Sequence, residues 1–126
     1  MAGKATTTKQ AGDAAEERAL AHLLRHGLTL VERNYRVAAG PSARGGEVDL
    51  ILRERDGTLV FVEVRARRDA AHGGAAASIG PAKLRRIVYA AQRYVARWAS
   101  PPPCRFDVVA IDGAEVRWLR AAFDAG

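Results

Sequence analysis

Gly46-Glu47-Val48-Asp49 and Phe61-Val62-Glu63-Val64-Arg65 hold the residues best placed to do chemistry, with thirteen positions between Asp49 and Glu63. Both carboxylates interrupt runs of apolar residues, Asp49 between Val48 and Leu50 and Glu63 between Val62 and Val64. A carboxylate embedded in an apolar strand is costly unless it is paired or bound to a cation. A hard divalent ion such as Mg²⁺, or Mn²⁺ in its place, would relieve that cost and could organise a phosphate and a water for in-line attack. The competing reading is that Asp49 and Glu63 are half-exposed strand residues paired with some of the many arginines. Spacing alone leaves the two readings level.

These acids need strands to carry them, and the pattern supplies strands. Val48 to Arg53 and Thr58 to Ala66 are apolar runs joined through Glu54-Arg55-Asp56-Gly57, and the Asp-Gly pair is a strong hairpin signal. Side chains alternate along a strand, so Glu63 and Arg65 should share one face while Val62 and Val64 point into the core. Leu28 to Val37 reads as a preceding strand, followed by the Gly/Pro-containing loop AAGPSARGG. Before it, Ala15, Ala19, Leu20, Leu23 and Leu24 recur at helical spacing between Ala11 and His26, with Gly27 as a stop.

A second helix is expected from Pro81 through Ala99. Proline suits the first turn, and Leu84, Ile87, Val88, Ala91, Tyr94, Val95 and Trp98 form an apolar stripe. Pro101-Pro102-Pro103 ends it, and Arg105 to Ile111 and Glu115 to Leu119 make a last hairpin around Asp112-Gly113. The expected order is α-β-β-β-α-β-β, an α/β fold with a mixed sheet flanked by helices. Residues 1–10 read as a disordered tail and residues 11–126 as a single domain.

The net charge of +6 and pI near 10.2 favour polyanionic partners, nucleic acid before an acidic membrane surface. Three lysines stand against seventeen arginines, and Lys83 is the one lysine outside the tail. Lys83, Arg86, Arg93 and Arg97 fall on one side of the second helix, and Arg65, Arg67 and Arg68 continue from the Glu63 strand. These seven are the candidate phosphate contacts, with a plain solvated helix face as the alternative. There is no apolar run long enough to span a membrane and no apolar core of a secretory signal, so a cytoplasmic protein is expected. The single cysteine, Cys104, excludes an intrachain disulfide and reads as a small half-buried residue entering a strand. His22 and His26 are four apart but lack a third ligand, which favours exposed histidines over zinc. Trp98 and Trp118 sit in periodic apolar patterns and read as packing residues.

In these motifs the chain resembles the uncharacterised bacterial YraN-type family, itself placed by similarity among PD-(D/E)XK nucleases and archaeal Holliday junction resolvases. The likeness runs from Gly12 to Phe123. It is carried by Gly12 with Glu16 and Ala19, Arg33-Asn34-Tyr35-Arg36, Gly46-Glu47-Val48-Asp49, Phe61 to Arg67, Lys83, and Arg105-Phe106-Asp107-Val108-Val109. The resemblance implies a restriction-endonuclease-like fold in which Asp49, Glu63 and the backbone carbonyl of Val64 ligate Mg²⁺. Glu16 would be a third acid, unless it and Glu17 only complement the helix dipole. It also implies action on DNA, of branched form by analogy, and a homodimer, because resolving a junction requires two symmetric sites.

Two departures stand out. Position 65, where the nuclease motif has lysine, is arginine, which keeps its proton and cannot act as a base, though it can stabilise phosphate charge. Lys83 is the candidate for a displaced catalytic amine, against a simpler role as a phosphate contact. The second departure is AAGPSARGG, longer than the family's usual approach to Gly-Glu-x-Asp. The expectation is therefore a Mg²⁺-dependent endonuclease, with a nucleic-acid-binding protein that keeps the nuclease fold without cleaving as the alternative.

Overall fold

The computed structural model describes residues 8–39, 45–67 and 79–125. Its elements follow the expected order: α1 (Thr8–Arg25), β1 (Thr29–Val37), β2 (Gly46–Arg53), β3 (Leu59–Arg67), α2 (Pro81–Val95), β4 (Cys104–Asp112) and β5 (Glu115–Phe123). The five strands lie in one sheet in chain order, antiparallel except for β3 beside β4. The parallel step demands a crossover, and α2 provides it.

Each helix covers one face of the sheet. Ala15, Ala19, Leu20 and Leu23 of α1 pack on Leu50, Leu52, Val60, Val62, Val109 and Ile111. Ile87, Ala90, Ala91 and Tyr94 of α2 pack on Val48, Ile51, Leu59, Phe61 and Phe106. β3 is thus covered on both faces, which explains its nearly unbroken apolar run. The expectation that Glu63 shares a face opposite the core is corrected accordingly, because its face is a second core, under α2.

Turn chemistry set the hairpins where expected. Gly57 and Gly113 take φ of +95° and +65°, and the first reaches back so that its N–H donates to Glu54 O at 3.0 Å. Most ends fall within two residues of expectation, and three differ by more. α1 begins at Thr8, so residues 8–10 are helical rather than tail, while the rest of the expected tail lies outside the described residues. α2 stops at Val95, well short of Ala99, its C-cap N–H bonding Gln92 O at 3.1 Å. β5 runs on to Phe123 because its apolar end stacks on β4, with the Phe106 and Phe123 ring centroids 5.1 Å apart.

Gly46 is the residue on which β2 meets α2. A Cβ there would stand 2.5 Å from Arg86 O and 2.8 Å from Ala90 N. Only glycine permits that approach, and it brings the first turns of α2 over the start of β2.

Candidate active site

β2 and β3 are paired from Arg53–Leu59 up to Leu50–Val62 and no further. Beyond that point the Val64 N–H donates to Asp49 Oδ2 at 2.8 Å, so a side-chain carboxylate takes the place of a backbone acceptor. Asp49 is at a fault in the sheet. Val48 faces α2 and Leu50 faces α1, although residues two apart on a regular strand share a face. The neighbouring strand changes face at the same level. Arg33 reaches Glu16 and Glu17 of α1 while Tyr35 packs edge-on against Tyr94 of α2, and Asn34 between them has φ +52°. Asparagine tolerates that left-handed backbone better than most residues.

The fault opens a cleft of about 400 Å³ lined by Gly12, Glu16, Asp49, Glu63, Arg65 and Lys83, with Val64 and three alanines between them. Every residue expected to be catalytic or metal-binding is therefore in one place. Glu63 is 2% exposed. Its Oε2 is 3.6 Å from Arg65 Nη1 and 3.8 Å from Lys83 Nζ, while its Oε1 has no hydrogen-bond partner among the described residues. Burial, reinforced by the negative charge of Asp49, pushes the Glu63 carboxyl up to about 8 against the pull of Lys83 and Arg65. The half-exposed, arginine-paired alternative fails for Glu63 on burial.

Glu16 reaches the cleft from α1. Burial and then Asp49 raise its carboxyl above the usual range, against Asn34 and Arg33. Its Oε1 is 3.9 Å from Arg33 Nη2 and lacks a hydrogen bond among the described residues. Lys83 is held from two sides, donating to Glu47 Oε1 at 2.7 Å while it faces Glu63. That hydrogen bond is the main cause of the lowered Glu47 carboxyl, to which Arg86 and Arg36 add their charges. Glu47 and Asn34 were legible only as parts of motifs. Their positions as strand neighbours of Asp49 were the available signal.

The cleft suits a hard divalent cation. Its metal-donor atoms are all oxygens, Asp49 raises the carboxyls of both Glu63 and Glu16, and one buried oxygen on each of those two acids lacks a hydrogen bond among the described residues. Asp49, Glu63 and the Val64 backbone would hold such an ion. Among the described residues no group of three or more His, Cys, Asp or Glu is arranged to hold a metal, so Glu16 lines the cleft without completing a three-acid cage.

The basic row is partly committed. Arg86 is 3.7 Å from Glu47, and Arg97 lies over the Tyr94 ring at 3.9 Å and donates to Tyr94 O at 3.0 Å. Arg93 is exposed on the same side. Arg67 closes β3; Arg68, with the loop through residue 78, lies outside the described residues, as does the centre of AAGPSARGG. Elsewhere, Cys104 is exposed rather than half-buried, its thiol against Pro102 O at 3.4 Å, with its proton held more tightly by partial burial. His22 is half-buried, its ring 4.4 Å from that of His26, and both lie edge-on to Trp118. Trp98 and Trp118 pack against the two cores as expected. No helix among the described residues is long and apolar enough to cross a membrane.

A model of the uncharacterised protein family UPF0102 matches residues 15–111. The chain is similar to UPF0102 proteins along nearly its whole length. One from Methylibium petroleiphilum is 69% identical over 119 residues, 94% of this chain and 98% of that protein. One from Paracidovorax citrulli is 65% identical over 125 residues, 99% of this chain and 90% of that protein. A more distant one, from Cupriavidus pinatubonensis, is 56% identical over 119 residues, 94% of this chain and 89% of that protein.

Proposed function

The chain belongs to the uncharacterised protein family UPF0102, whose name assigns no chemistry, and from the cleft itself we propose a Mg²⁺-dependent endonuclease of restriction-endonuclease-like fold acting on structured DNA. The observation that carries this reading is the Glu63 carboxyl, buried beside Asp49 where β2 and β3 part, with one oxygen lacking a hydrogen bond among the described residues and Lys83 and Arg65 at the other. Two acids buried side by side cannot both ionise without cost, and a cation taken up between them would offset it. Branched DNA as the substrate, and a dimer to cut it symmetrically, rest on the motif resemblance.

Hydrolysis joins a water oxygen to phosphorus, breaks one phosphorus–oxygen bond to sugar, and moves a proton from the water to the departing oxygen. When bound, the metal ion would polarise the phosphate and lower the pKa of its water. Asp49 is fixed for its part by the Val64 N–H, and Glu63 by burial. Lys83, anchored by Glu47, supplies the amine that position 65 lacks, and Arg65 offsets charge growing on the phosphate. Arg86 and Arg93 extend the positive side of the cleft along α2 toward the rest of the strand.

The test is cleavage of plasmid, single-stranded and four-way-junction DNA in Mg²⁺, Mn²⁺ or EDTA. Asp49→Ala and Glu63→Ala should each lose activity by about 10²-fold or more. Cleavage that persists in both sinks the site. A second reading follows from Arg65, which cannot serve as a base: a nucleic-acid-binding protein that keeps the fold without cleaving. Salt-sensitive binding without cleavage under any metal condition would favour it.

A further inference from the structure

Lys83 stands where the helix dipole disfavours it. It lies in the first turn of α2, just behind the Gly80 cap, at the end where backbone N–H groups already carry partial positive charge. No acidic residue shares that turn. The negative charge comes instead from Glu47 on β2, whose Oε1 accepts a hydrogen bond from Lys83 Nζ at 2.7 Å. Glu47 has two other cations near it, Arg86 of α2 at 3.7 Å and Arg36 of β1 at 3.8 Å, and both stay beyond hydrogen-bond distance. Lys83 is the one it grips.

The grip decides how Lys83 meets the buried acid. Lys83 Nζ is 3.8 Å from Glu63 Oε2, too far for a hydrogen bond, so the ammonium leans on Glu47 and leaves Glu63 short of a close ion pair. Lys83 is half-buried, and a charge out of water without a partner is costly. Its other carboxylate among the described residues is Glu63. Without Glu47 the ammonium would close onto Glu63 and take up the negative charge on which a divalent cation depends. Glu47 itself is not among the residues that line the cleft. Its effect there has to pass through Lys83.

We infer that Glu47 is a positioning residue that holds the Lys83 ammonium off Glu63, leaving the acids to a divalent cation and the amine beside them for phosphate. This rests on the cleft being the cation site of the endonuclease proposed above.

The experiment is a double-mutant cycle on Mn²⁺ binding by titration calorimetry, in the full chain, with thermal unfolding as the fold control. Glu47→Met removes the acceptor at similar length and should weaken Mn²⁺ binding about tenfold or more. Lys83→Met removes the competing ammonium and should bind Mn²⁺ at least as tightly as the parent. The double variant should match Lys83→Met, because without the ammonium Glu47 has nothing to hold back. Glu47→Gln keeps an acceptor oxygen and should fall between the parent and Glu47→Met; if Glu47→Met does not fold, Glu47→Gln carries the cycle in its place. A Glu47 that only ties β1, β2 and α2 together, or only adds negative charge near the ion, predicts the same loss with and without Lys83, and that result overturns the inference. Parental affinity in the folded Glu47 variants overturns it too, as does weaker binding in Lys83→Met. Cleavage by the parent is scored separately. A parent that cleaves while the cycle is additive loses the inference alone, and one that shows the coupling without cleaving loses the endonuclease reading alone. No Mn²⁺ binding by the parent overturns both.

Discussion

Two buried acids sit almost side by side in this sheet, Glu63 on β3 and Asp107 on β4, where the parallel register sets Val62 beside Asp107 and Glu63 beside Val108. Their exposures are nearly equal, 2% and 0%. Their surroundings are not. Asp107 accepts four hydrogen bonds: Arg105 Nε and Nη2 at 2.9 Å, Trp118 Nε1 at 2.8 Å and Ala121 N at 2.9 Å. Arg105 turns its remaining arm to Glu54 at 2.6 Å, and the Asp107 hydrogen bonds hold its guanidinium proton more tightly than usual. Glu63 has cations at 3.6 and 3.8 Å on one oxygen, and its other oxygen has no hydrogen-bond partner among the described residues. Burial alone therefore does not separate the two acids; what separates them is whether the buried oxygens are satisfied, and that makes Glu63 the candidate.

The widest separation of the two should appear in stability. Asp107→Ala strands an arginine, an indole N–H and a backbone N–H in the interior, and should cost about 3–5 kcal/mol in urea unfolding. Glu63→Gln replaces a carboxyl that burial and Asp49 already keep protonated up to about pH 8, so the metal-free protein should be no less stable than the parent. Equal losses in the two variants would erase the contrast.

Gly46→Ala should come next, at about 1–3 kcal/mol. Its new Cβ pushes Arg86 O and Ala90 N away and so shifts α2 from β2. Because Lys83 rides on α2 and Asp49 on β2, Mn²⁺ affinity should fall with stability. The hydrogen bonds of Asp107 come from neither element, so in a Trp98→Phe background the Trp118 emission maximum of the folded variant should stay as in the parent. A changed Trp118 environment would show that the two regions are coupled.

The pH response sharpens the comparison at Glu63. Its folded-state carboxyl is raised to about 8 from an ordinary value of 4.5, so between those values the folded chain holds a proton that the unfolded chain has released. Stability of the metal-free protein should therefore fall as pH rises from about 5 through about 8, with a slope of at most about 1.4 kcal/mol per pH unit. Glu63→Gln should flatten that slope. Saturating Mg²⁺ or Mn²⁺ should flatten it too, since an ion that takes the proton's place favours the ionised folded form. Unfolding curves in EDTA and in Mg²⁺ across that range are the check, and a slope indifferent to both changes would remove Glu63 as its source.

The sequence made one half of this contrast visible and hid the other. Element order was legible because it is local: Asp56-Gly57 and Asp112-Gly113 fix hairpins, and the 3.6-residue stripe of α2 needs no partner to be recognised. Asp49 and Glu63 were legible because acids interrupt apolar strands. Asp107 interrupts an apolar strand in the same way, between Phe106 and Val108, and nothing in its spacing says that Trp118 and Ala121 will satisfy it. That information lies in the β4–β5 register, which shifts between Phe106 and Val108. The face switch at Asn34 and Asp49, and the grip of Glu47 on Lys83, are likewise products of pairing between distant segments. The helix ends were misplaced because packing decides where α2 stops.

Each acid is served by a fault in the sheet with a left-handed residue at or near it, Asn34 beside Asp49 and Ala121 above Asp107. Asparagine bears φ +52° with modest strain, whereas alanine at φ +50° has a Cβ crowding its own carbonyl. Ala121 is held there because its N–H must point at Asp107. Ala121→Gly should therefore relieve strain while keeping the N–H, and the gain, set against the extra entropy of glycine in the unfolded chain, should be small, up to about 1 kcal/mol. If the Asp107 clamp is what imposes the strain, the gain should vanish in an Asp107→Asn background, where the weaker acceptor lets the backbone relax. A double-mutant cycle by urea unfolding measures that coupling. Strict additivity would mean that Ala121 adopts its conformation for the strand's own reasons, and that the clamp merely exploits a fault already present.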